Sequence, residues 1–84
     1  MLRLLNIGFG NYLNSTRIVS INTPDSAPIK RMVSEAREKR ILIDATCGRR
    51  TRSVVTMDNN HIILSSLQTD TMAQRMAELH NEKR

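Results

Sequence analysis

The fold is decided by "ILIDATCGRRTRSVVTMDNNHIILSS", residues 41–66. Three short runs, 41–45, 51–57 and 61–66, are rich in β-branched residues and read as strands. The stretches between them, "TCGRR" (46–50) and "DNN" (58–60), are short and made of turn-forming residues. Short links between consecutive strands favour antiparallel pairing. "TCGRR" is therefore expected as a turn or hairpin tip. "DNN" is expected as a three-residue hairpin loop in which Asn tolerates the left-handed region.

On the N-terminal side, "TPDSAPIKRMVSEAREKR" (23–40) reads as a helix. Asp25 or Ser26 can cap it, and Pro28 suits a first turn whose N–H groups have no intrahelical partner. Ile29, Met32, Val33 and Ala36 recur at i, i+3, i+4, i+7 and make one apolar stripe. Arg31–Glu35 and Glu35–Lys39 are spaced to pair on the wet face. Lys39 and Arg40 suit the negative end of the helix dipole. On the C-terminal side, "TDTMAQRMAELH" (69–80) reads as a closing helix with Met72, Met76 and Leu79 on one face. Thr71 and Gln74 have capping-box spacing, and Thr69 or Asp70 are alternative caps. Residues 80–84, ending in "NEKR", are expected to fray. At the start, "LRLLNI" (2–7) is a strand and "GFGN" (8–11) a turn. "YLNSTR" (12–17) is a loop or short strand, and "RIVSIN" (17–22) is a further strand. The order is strands, helix, strands, helix. It predicts an α+β fold: one domain over 1–84, with two helices packed on a small, mainly antiparallel sheet.

A chain of 84 residues has a thin stability margin. Phe9 and Tyr12 are its only aromatics. The core must come from Ile, Leu, Val and Met, and burial between subunits is the expected remedy, hence a homo-oligomer. Met32, Val33, Met72 and Met76 could serve either the core or a subunit interface. Cys47 is the only cysteine, so no intrachain disulfide forms. No apolar run approaches the roughly 20 residues of a membrane span, and the apolar stretch of "MLRLLNIGFG" is too short for a secretory signal. A cytoplasmic protein without a membrane partner is expected.

Net charge is +5, and its distribution is uneven. Residues 30–52 hold eight basic residues against three acids, and the remainder of the chain balances at five of each. The excess therefore forms a local basic patch. Arg49, Arg50 and Arg52 stand at its end.

Other constellations are weaker. "GFGN" lacks the third glycine of a dinucleotide loop, where Leu13 stands, though its N–H groups could form a small anion nest. His61, His80 and Cys47 lack metal-ligand spacing. Cys47 is either a reactive thiolate beside arginines or a small residue filling a turn. Asp44 could pair with Arg50 or Arg52 and orient the loop, or point at solvent. No nucleophile–base set, paired carboxylates or phosphate loop is present. No catalysis, cofactor, metal or small-molecule substrate is expected. The arginines are either a solvated tip or a nucleic-acid contact. Guanidinium favours planar, bidentate phosphate contacts, and a helix with a basic end feeds the tip; both favour nucleic acid.

"NIGFGN", "SAPIKR", "IDATCGRRTR" and "HIILSS", in this order and spacing, closely resemble the RemA family of bacterial extracellular matrix regulators. The resemblance runs from about residue 4 to residue 77. It implies a DNA-binding transcriptional regulator that activates matrix and biofilm operons. It implies a ring-shaped homo-oligomer that wraps double-stranded DNA, and distant kinship with LytTR-type domains. Arg17, Arg49 and Arg50 match the family's DNA-linked arginines. Arg52 belongs to the same cluster, with Lys30 and Arg31 as accessory basic residues. Cys47 stands where the family motif has Tyr, so a ring is absent there.

Three phosphate contacts on one protomer would lose roughly 40-fold in affinity between 50 and 200 mM salt. About eight contacts shared over an oligomer would lose on the order of 10⁴. Repetition thus turns a weak site into a strong one. Two rival readings stand beside this one. An RNA-binding module is poorly served by two aromatics. An oligomeric scaffold would bind an acidic protein or membrane surface.

Overall fold

The structure, a computed structural model, describes residues 3–80. β1 (Leu4–Gly8) and β2 (Asn11–Asn14) form an antiparallel hairpin. A 3₁₀ turn (Ser15–Arg17) leads into β3 (Ile18–Asn22). Then follow α1 (Ala27–Glu38), β4 (Leu42–Asp44), β5 (Ser53–Met57), β6 (Ile62–Ser65) and α2 (Thr69–His80). The class is α+β, as the sequence predicts.

Two features differ from the expectation of one sheet with neighbouring strands paired. First, β1–β2 is a sheet of its own, separate from a four-stranded sheet in the order β3-β5-β6-β4. Second, β4 does not pair with β5. It runs parallel to β6, which lies between them and is antiparallel to β5. The physical reason is in β6, "IILS", whose residues are all buried. A strand apolar on both faces belongs in the sheet interior. The link over 45–52 is also longer than the two to five residues typical of hairpins. "TCGRR" is therefore not a hairpin tip. It belongs to a link that passes the end of β6.

The sheet is covered on both faces. Val54, Ile62 and Leu64 meet Ala36 and the α1 stripe of Ile29, Met32 and Val33. On the other face, Val55 and Ile63 meet Leu5 and Ile7 of the hairpin and Met72 of α2, with Met76 and Leu79 packed against them. The four residues left between core and interface, Met32, Val33, Met72 and Met76, thus line the two cores. Phe9 and Tyr12 do not. They are 51% and 56% exposed, so the two apolar cores are built from aliphatic and thioether side chains without an aromatic.

Local signals explain the element ends. Ser26, not Asp25, caps α1: its Oγ accepts the Ile29 N–H at 3.4 Å. At the other end Ile41 N–H donates to Ala36 O (3.0 Å) and Arg40 N–H to Arg37 O (3.2 Å). That is a Schellman cap with Arg40 at φ +60° in the position glycine favours. Neither Arg31–Glu35 nor Glu35–Lys39 closes into an ion pair. In α2, Met72 N–H donates to Gln68 O at 3.1 Å, so Gln68 takes the cap position. Thr69, Asp70 and Thr71 lie inside the first turn and do not cap. The "DNN" loop has the expected three residues: Met57 N–H donates to His61 O at 3.0 Å, and Asn60 takes φ +72°. The expected fraying of "NEKR" lies outside the described residues.

Candidate nucleic-acid interface

The link between β4 and β5 begins with a carboxylate. Asp44 Oδ1 accepts the Thr46 N–H (2.9 Å) and the Thr46 hydroxyl (2.6 Å). The Thr46 hydroxyl, then the Thr46 N–H, hold the Asp44 carboxyl below the usual carboxylate range; Arg37 adds a smaller pull against a small desolvation cost. Asp44 thus orients the loop, but through Thr46 and not through Arg50 or Arg52. Thr46 is itself buried, which fixes the loop's root.

A tight turn follows. Arg49 N–H donates to Thr46 O at 3.0 Å. Cys47 and Gly48 between them both have positive φ, +57° and +81°. Two consecutive left-handed residues reverse the chain in the sense of a type I′ turn. Glycine bears this conformation without strain; cysteine does not. Arg52 N–H then donates to Ser65 O at 2.9 Å and returns the chain to the sheet. Arg49 and Arg50 are held between these two anchors. Arg49, Arg50 and Arg52 are exposed, and none has an acidic partner among the described residues. Cys47 is an exposed free thiol at the apex.

Other elements reach the same end of the molecule. β3 and β6 both run towards the start of β5, so α1 and α2 begin there. Arg50 and Arg52 border a shallow groove with Thr23, Asp25, Gln68 and Thr69, at the roots of the two helices. The positive ends of both helix dipoles add to the potential of the arginines. The β1–β2 tip lies beside them: the Arg49 guanidinium carbon is 5.6 Å from the centre of the Phe9 ring. No sequence rule picked out that contact. "GFGN" signals a turn and says nothing of what the turn faces.

The remaining predicted residues divide between the two ends. Arg17 precedes β3 and lies at the far end of β5, where Ile18 faces Met57. Five strand residues put it about 17 Å along the sheet from the arginine turn. It is not free. Its Nε donates to the Asp58 carboxylate at 3.2 Å, and Asp58 N–H donates back to Arg17 O at 2.9 Å. Lys30 borders a second groove with Arg37 and Thr51, next to the arginine turn; Arg31 does not line it. Lys39 and Arg40 end α1 at the other pole, near Asn60. Lys39 and Arg40 therefore do not feed the arginine turn, whereas Arg37, in the last turn of α1, borders the groove next to it. The charge there comes from the link itself and, along α1, from Lys30 and Arg37.

Among the described residues, no group of three or more His, Cys, Asp or Glu could hold a metal ion. No described helix is long and apolar enough to cross a membrane.

Comparison with known proteins gives one consistent family. The RemA-like family, described as extracellular matrix regulatory protein A-like, matches residues 4–76. Extracellular matrix regulatory protein A of Bacillus subtilis is 57% identical over 76 residues, 90% of this chain and 85% of its own. A protein of Brevibacillus brevis named as a regulatory protein is 53% identical over 81 residues, 96% of this chain and 94% of its own. One from Carboxydothermus hydrogenoformans, named likewise, is 54% identical over 82 residues, 98% and 94% of the two chains.

Proposed function

The chain belongs to the RemA-like family of regulatory proteins, and on that premise we propose that it binds double-stranded DNA as a ring-shaped homo-oligomer and activates matrix operons. The observation that carries this reading is the turn at 46–49, which leaves Arg49 and Arg50 exposed with no ion pair to an acid among the described residues. Guanidinium groups so placed repel one another until an anion sits between them. Phosphate oxygens along a duplex meet that need with planar, bidentate contacts. A cytoplasmic, nucleoid-associated location follows from the same reading.

Self-association has support of its own. β3 and β4 are the two edges of the four-stranded sheet. Each bears an exposed aliphatic residue, Val19 (64%) and Ile43 (49%). An edge strand offers unpaired backbone groups to another chain. The two edges are different strands, so pairing one to the other is head-to-tail, and such contacts close into rings when the rotation allows.

Light scattering with and without a mixed-sequence duplex tests the proposal. The native chain is expected to be oligomeric and to take up the duplex. Arg49→Ala/Arg50→Ala is expected to keep the oligomer and lose the duplex. Affinity of the native oligomer should fall by on the order of 10⁴ between 50 and 200 mM salt, and that of the variant far less steeply. A monomeric native chain that holds the duplex in physiological salt would overturn the reading, as would a variant that binds as well as the native chain.

A further inference from the structure

We propose that Phe9 is a positioning residue for DNA binding, holding the Arg49 guanidinium by its flat face so that its edge is free to meet phosphate. The inference rests on the DNA-binding reading and extends it to a residue outside the basic patch.

Phe9 is expensive where it stands. It is flanked by Gly8 (φ +103°) and Gly10 (φ +78°) and itself takes φ +52°. The left-handed conformation puts Cβ against the next carbonyl in any L-residue other than glycine. The turn is tied into this shape: Asn6 Oδ1 accepts the Gly8 N–H at 2.9 Å, and Asn11 Nδ2 donates to Gly8 O at 3.1 Å. The Gly8 Cα side lies against Leu67, which anchors the tip on the link to α2. A strained aromatic normally belongs to a core, yet this ring is 51% exposed and joins neither core cluster. Such an outlier is a reason to look for a function.

The ring faces Arg49, whose guanidinium carbon lies 5.6 Å from its centroid. Arginine stacks its planar face on an aromatic ring while its N–H groups radiate in the plane. The face and the edge are separate surfaces, so stacking on Phe9 leaves phosphate recognition intact. It also narrows the rotamers of a long side chain before DNA arrives, which lowers the ordering cost of binding. Both partners sit on left-handed turns, Phe9 on one and Arg49 directly after Cys47 and Gly48 on the other. Two strained loops thus hold a cation against a ring that contributes nothing to the interior.

The test is a double-mutant cycle read by fluorescence anisotropy with a labelled mixed-sequence duplex. Phe9→Leu keeps the backbone and removes the π face. It is expected to weaken binding about 2- to 5-fold for each protomer engaged. Phe9→Tyr should restore native affinity. In an Arg49→Ala background, Phe9→Leu should have no further effect. Melting of Phe9→Leu should match the native chain, because the ring is outside both cores. Native affinity in Phe9→Leu, or the same loss with and without Arg49, overturns the inference and leaves the DNA-binding reading standing. Unchanged binding in Arg49→Ala/Arg50→Ala overturns that reading and this inference with it.

Discussion

The two ends of β5 hold arginines in opposite circumstances. At its start, Arg49, Arg50 and Arg52 stand exposed, and among the described residues no acid closes an ion pair with them, Asp25 across the groove included. At its finish, Arg17 is tied to Asp58, whose N–H donates back to Arg17 O. Both ends have an aspartate close in sequence or space. At one end Asp44 is occupied by the Thr46 N–H and hydroxyl, and at the other Asp58 is spent on a cation. The difference lies in what the carboxylate accepts. A loop that gives its acid backbone and hydroxyl donors keeps its arginines available to an outside anion.

The largest effect is expected from removing that arrangement. Asp44→Ala deletes two hydrogen bonds, both to a charged acceptor, and should cost about 1–2 kcal/mol of stability. It should also weaken duplex binding, because the turn that presents Arg49 and Arg50 loses its root. The same group predicts a pH dependence. Its folded pKa is lowered, so its contribution is fully present above the ordinary aspartate value of 3.8 and is lost as pH falls through the folded value. The melting difference between native chain and Asp44→Ala should therefore be constant above 3.8 and shrink in stronger acid. A difference that grows on acidification would show that the hydrogen bonds do not favour the charged form.

A smaller effect is expected at the other end. The Arg17–Asp58 pair is exposed, with side chains 62% and 44% accessible, and such pairs contribute about 0–1 kcal/mol. Asp58→Asn should barely change the melting temperature. It should raise duplex affinity by up to about fivefold, by releasing Arg17 from a competing anion. Arg17→Ala should weaken binding less than Arg49→Ala does, since Arg17 must first leave Asp58. Equal losses from the two substitutions would break the contrast between the ends.

What was legible in the sequence follows the range of the forces involved. The α1 stripe and the "DNN" loop depend on residues within four or five positions and read directly, and the α1 cap is narrowed to Asp25 or Ser26. Sheet order does not. β6 enters between β4 and β5 because "IILS" can be buried on both faces, a requirement met only when both α1 and the hairpin layer are in place. The site divides the same way. The arginine turn is visible as a cluster of like charges with a glycine. The Arg17–Asp58 bond spans 41 positions and the Phe9–Arg49 contact spans 40, and no local pattern foretells either. Antiparallel strand pairing made the first contact, and the packing of two turns the second.

The smallest effect isolates the fold from the function. Arg40 closes α1 at φ +60°, where the Schellman geometry favours glycine. An L-residue there costs roughly 1–2 kcal/mol, and glycine returns up to about 1 kcal/mol of that as lost chain freedom. Arg40→Gly should thus stabilise the chain by about 0.5 kcal/mol, raising the melting temperature by about 2–4 °C. It also deletes a positive charge from the pole that holds Lys39 and the Arg17–Asp58 pair. If DNA is gripped at the arginine turn, duplex affinity and its salt dependence should stay native while the melting point rises. A fall in the salt slope of about one, the signature of one lost phosphate contact, would instead put Arg40 on the DNA. The α1 terminus would then bind beside Arg17, and the far end of β5 would contribute more to the grip than the one arginine held back by Asp58.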